Sequence, residues 1–122
     1  MSPLTPATRQ LVDLMGTVPR GPKRDGLFAL WLTVRVIEGF DPPNPLPDRA
    51  SRRRVGLLER RLSSLSLPPA LRRGLALAIG ILKQEGQPPD PAALMGQLIG
   101  PTRDGLGTEA AEALQKAARG RR

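Results

Sequence analysis

Fourteen prolines and thirteen glycines cut this 122-residue chain into short pieces. Proline inside a helix removes an N–H and clashes with the preceding turn, and glycine after a helix favours a stop. No long rod or wide sheet can run through such punctuation. What lies between the breaks decides between short helices and short strands. Phe28, Trp31 and Phe40 are the only aromatics, and there is no tyrosine. The apolar residues are mostly leucine and alanine, a palette that suits helices better than sheets.

Six segments read as helix. The first covers residues 5–15, with Thr5 as N-cap, Pro6 at the first helical position and Gly16 as stop. Leu11, Leu14 and Met15 face inward. Residues 16–23 form a loop. The second helix covers 24–39, with Asp25 as cap or first-turn acid. Apolar residues from Leu27 to Ile37, Trp31 among them, cover nearly its whole circumference, as in a central core helix. A buried strand competes over 31–37, but no second strand of that character exists to pair with it.

Residues 40–47 (FDPPNPLP) hold four prolines and cannot be helical. They read as a stiff linker. The composition also suits a polyproline-type ligand, although no basic residue stands beside the prolines.

The third helix covers 48–64 with Asp48 as N-cap. At about 100° per residue, Val55, Leu58, Leu62 and Leu65 fall on one face. Arg49, Arg53 and Arg60 fall opposite with Arg52 beside them, and Arg54 and Arg61 lie at the border. The fourth helix covers 69–85, ended by Gly86. Leu71, Leu75, Ala78, Ile79 and Leu82 form its inner face, and Leu77 and Ile81 a second one. Helices three and four should form an antiparallel hairpin.

Asp90 caps a fifth helix running from Pro91 to residue 99, and 100–107 is a loop. The sixth covers 108–118. Its apolar face is mostly alanine, so weak docking, or docking on a partner, is expected. The expected fold is all-α: one compact domain over 1–118, a bundle of five or six short helices with Pro/Gly-rich connectors. Helices two and four are central, and 119–122 form a flexible basic tail.

Much chemistry is excluded. Without Cys or His there is no disulfide, no thiolate nucleophile, no imidazole base and no Cys/His zinc site. The serines and threonines lack a histidine to activate them. Glu109 and Glu112, three apart, suit a helix N-terminus as well as any catalytic pairing. In 21–26 the glycine–lysine spacing is wrong for a phosphate loop, and Pro22 removes a donor. No cofactor or metal is implied, and a non-enzymatic protein is expected. The N-terminus has neither the basic region nor the apolar run of a signal peptide, and no stretch is long enough to span a bilayer. A cytoplasmic location is the default expectation.

The net charge of +8 is unevenly placed. Residues 48–85 carry nine basic and three acidic groups, while each flanking third carries a net +1. A GC-rich coding sequence would favour arginine over lysine, but it does not explain this concentration. Asp48, Glu59 and Glu85 are too few to neutralise the arginines of this region. The candidate anion-binding set is therefore Arg49, Arg52, Arg53, Arg60, Arg61, Arg72 and Arg73. Arg72 and Arg73 open helix four, where cations are mildly unfavourable, and the hairpin should bring them toward Arg60 and Arg61.

Two partner classes follow. The leading one is nucleic acid, as duplex DNA or structured RNA held by its backbone. Single-strand readers normally need stacking aromatics, which are scarce here. A helix-turn-helix is unconvincing, because the break at 63–68 is too long and contains prolines. The other is an acidic protein surface, with the chain acting as an adaptor or assembly subunit. An apolar patch contiguous with the arginines favours the adaptor, and a basic stripe free of such patches favours nucleic acid.

Overall fold

A computed structural model describes residues 6–38, 48–83 and 90–119, with side chains described at 8–38, 52–83 and 90–119. The Thr5 cap, the 40–47 connector, the Asp48 side chain, the Gly86 stop and residues 120–122 lie outside the described residues. Six helices and no strand are present among the described residues: α1 Pro6–Thr17, α2 Pro22–Glu38, α3 Asp48–Ser63, α4 Pro69–Leu82, α5 Pro91–Leu106 and α6 Thr108–Arg119. The fold is an all-α bundle. None of these helices is long and apolar enough to cross a membrane.

Helix α1 outruns Gly16. That glycine does not adopt positive φ, so it makes no left-handed stop. The end falls at Thr17, whose Oγ1 donates to the Leu14 carbonyl at 2.8 Å. Val18 precedes Pro19, and a residue before proline is pushed out of helical geometry. Helix α2 begins at Pro22 in its preferred first position. Asp25 stands in the first turn of α2 and accepts from the Ser66 N–H at 3.3 Å, tying this helix start to the α3–α4 turn.

Helix α2 is central, touching α1, α3, α4 and α5. It buries Leu27, Leu30, Val34 and Ile37 completely. Buried Thr33 satisfies its hydroxyl on the Ala29 carbonyl at 2.7 Å. Trp31 departs from the expected core position. It is only partly buried, on the outer side of α2 beside Phe28.

Helix α4 buries Leu71, Leu75, Ala78, Ile79 and Leu82, as its phasing requires. Leu77 was expected on a second inner face, but it is 71% exposed. The hairpin of α3 and α4 is loose. The main packing partner of α4 is α5, which is itself clasped by α6 and touches α2, so α5 is a hub at least equal to α4.

The expected loop over 100–107 is mostly helix. Helix α5 continues through Pro101 to Leu106 and carries Leu98, Thr102 and Leu106 into the interior. Two features permit this. Gly100 has no Cβ to clash with the proline ring. The carbonyl that loses its N–H partner belongs to Gln97, at an exposed position where water can replace the bond. Gly107 then turns the chain at φ +99, and its N–H closes the helix on the Arg103 carbonyl. At the other end of α5 the Asp90 carboxylate accepts from the N–H groups of Ala92 and Ala93, so the expected cap is present.

Helix α6 is docked rather than free. Ala110, Ala111, Ala113, Leu114 and Ala117 are buried, and the helix packs on α5 and α1. By area alone an alanine face docks weakly. Its short side chain instead lets the helix backbones approach closely, so many small contacts replace a few large ones.

Candidate interaction surface on α3

Among the described residues, helix α3 packs mainly on α2 and α4, through Val55, Leu58 and Leu62. Arg52, Arg53, Arg54, Arg60 and Arg61 are all exposed, as are Arg72 and Arg73 on α4. The side chain of Arg49 lies outside the described residues.

These arginines do not gather in one corner; the structure divides them. Arg61 leaves toward α2, its guanidinium carbon 5.4 Å from the Phe28 ring centroid. Arg72 turns to the other flank of α3, where Nη2 donates to the Leu65 carbonyl at 2.9 Å. That bond accounts for a cation in the first turn of α4. The side chain serves the carbonyl-rich C-terminal end of α3, the negative pole of its dipole. Ser63 and Ser64 donate to the carbonyls of Arg60 and Arg61 at the same end. Arg53 and Arg60 occupy the outward face between the two flanks.

Leu57 stands among them. It is 56% exposed and recurs with Arg53, Arg60 and Arg61 at the three- and four-residue steps of one helix face. Across the α2 seam lies the partly exposed aromatic pair. Phe28 and Trp31 stack with centroids 6.1 Å apart, and Arg35 covers Trp31 at 5.3 Å. Arg61 lies over Phe28, and the turn after α3 meets Asp25 near the start of α2. The two helices are therefore antiparallel, and Leu57 lies one turn before Arg61 on α3.

The opposite flank of α3 opens into a groove against α4 of about 260 Å³. Leu62, Leu67, Leu75 and Ile79 form its floor, Ala76 and Gly80 its α4 wall, and Glu59, Ser63, Arg72 and Lys83 its rim. Lys83 Nζ bonds both Glu59 carboxylate oxygens, at 3.0 and 3.1 Å.

Leu57, the aromatic–arginine patch and the groove lie outside the seven arginines to which the sequence points. Leu57 was recoverable by phase, since it lies off the Val55–Leu58–Leu62 seam. The groove was not, because it depends on how far apart two helices settle. Glu109 and Glu112 are exposed on α6. Among the described residues no three His, Cys, Asp or Glu side chains group closely enough to hold a metal ion. Comparison with protein-family models, curated proteins and solved structures finds no match to this chain.

Proposed function

We propose that this chain is a non-enzymatic interaction protein that engages an anionic partner through the arginine face of α3, and that the partner is an acidic protein surface. The observation carrying this reading is Leu57, 56% exposed in the middle of that face. A phosphate backbone has nothing to offer an exposed leucine, whereas a protein partner can bury it. Tryptophan and arginine, present as Arg61 one turn along α3 and as Trp31 and Arg35 on α2, are enriched among residues that dominate protein interfaces. The surrounding cations supply steering and orientation toward an acidic surface.

Nucleic-acid backbone, as duplex DNA or structured RNA, is the second reading. The exposed run Arg52, Arg53 and Arg54, followed by Arg60, favours it, since phosphate contacts need exposed cations and no apolar partner.

Affinity capture from native lysate, with and without nuclease, separates the two. The protein reading expects capture that survives nuclease and is lost in both Leu57→Ser and Arg53→Gln/Arg60→Gln. Capture abolished by nuclease and indifferent to Leu57→Ser transfers the function to nucleic acid. Log affinity for duplex DNA should then fall with log salt, the slope dropping by about 0.9 per lost contact.

A further inference from the structure

We infer that the α3–α4 groove is the docking site for an acidic amphipathic helix of a partner protein, seated by its apolar residues on Leu62, Leu67, Leu75 and Ile79 and held at the rim by Arg72 and Lys83. The inference rests on the protein-binding reading above and names the partner's chemistry.

Size and shape argue against a small-molecule site. The groove measures about 260 Å³, below the roughly 300–1,000 Å³ of small-molecule and cofactor pockets. It is open along one side and has room for a few aliphatic side chains. That is what an amphipathic helix inserts when its anchors repeat at three- and four-residue steps.

The wall and rim define the rest. Ala76 and Gly80 on α4 are both exposed and carry no long side chain, so a second helix backbone can approach closely there. The rim carries Arg72 at one end and the Lys83–Glu59 pair at the other. Arg72 spends one nitrogen on the Leu65 carbonyl, and a guanidinium has five donors. Lys83 is held by Glu59, but the two side chains are 54% and 51% exposed. An ion pair that exposed contributes little and yields readily to a competing carboxylate. Arg73, exposed beside Arg72, adds to the same field. A second copy of this chain is disfavoured as occupant, because a net charge of +8 sets the copies against each other.

The test uses the full chain and a fluorescein-labelled helical peptide with leucines on one face and glutamates on the other. A counterpart peptide carries lysines in place of the glutamates. Two variants address the groove. Gly80→Leu fills it; a β-carbon there meets nothing within 4 Å, and the rest of the side chain enters the groove. Ala76→Glu puts a negative charge on the uncharged wall without filling the floor. By fluorescence anisotropy, the wild type should prefer the glutamate peptide by about tenfold or more, and Gly80→Leu should weaken it by about tenfold. Ala76→Glu should shift preference toward the lysine peptide. Amide shifts on binding should centre on Leu67, Leu75 and Ile79.

Unchanged affinity in both variants, each confirmed folded by its helical circular dichroism, overturns the groove. Equal binding of the two peptides overturns the charge argument and the inference with it. If Arg53→Gln/Arg60→Gln abolishes binding while Gly80→Leu does not, the arginine face stands as a protein-binding surface and the groove falls. If neither peptide binds but duplex DNA does, the inference falls together with the reading it rests on.

Discussion

Gly74 of α4 and Pro101 of α5 meet so closely that a β-carbon on Gly74 would lie 2.6 Å from Pro101 Cβ and 2.8 Å from its Cγ. A proline ring on a helix cannot rotate aside. Gly74→Ala should therefore destabilise the protein by about 1–3 kcal/mol through overpacking, despite alanine's helix preference of about 1 kcal/mol over glycine. Gly80, six residues later on the same helix, faces open space. Gly80→Ala should stabilise by up to about 1 kcal/mol. Urea midpoints that move in opposite directions check both. A shared direction would mean that the α4–α5 contact is not close.

Thr102 is fully buried in α5, and its hydroxyl has no hydrogen-bond partner among the described residues. Thr102→Val keeps the shape and removes the orphaned polar group. An unsatisfied buried hydroxyl costs about 1–3 kcal/mol, so the variant should raise stability by about 1 kcal/mol. Thermal or chemical denaturation reads this directly, and a loss of stability would show that the hydroxyl has a partner in solution.

The arginines of α3 should separate into two kinds. Arg61 lies over Phe28, so Arg61→Ala should cost about 0.5–1 kcal/mol, and that cost should vanish in a Phe28→Leu background. Arg53 and Arg60 face outward, and replacing both with Gln should leave stability within about 0.5 kcal/mol. A double-mutant cycle followed by urea denaturation measures the first. An equal cost at all three positions would remove the distinction between a pinning arginine and a free one.

Trp31 is partly buried between Phe28 and Arg35. Its emission and its quenching by acrylamide should fall between those of a core indole and a free one. Trp31→Ala should cost less than the about 3–5 kcal/mol of a fully buried aromatic. A fully blue-shifted, unquenched emission would place the ring in the core.

The sequence alone determined the helical class, most of the helix boundaries and the inner faces of α3 and α4. Each follows from local rules. Proline at a first turn, Asp90 as a cap and leucine repeating at helical spacing need no knowledge of neighbours. It also determined that the arginines concentrate on α3, because phase around a single helix is a local property. Where local rules pointed the other way, tertiary contact decided. Pro101 reads as a breaker, yet α5 passes through it, because the ring fits against Gly74 and the helix beyond buries Thr102 and Leu106. The alanine face of α6 reads as weak, yet close approach to α5 and α1 buries it. Leu77 is as apolar as Leu75, and only the positions of α2 and α5 leave one in water and the other inside. The candidate site divides in the same way. Its charge is written in the sequence, while the groove beside it and the arginine stacked on Phe28 exist only because α3 settles against two helices that no local pattern could place.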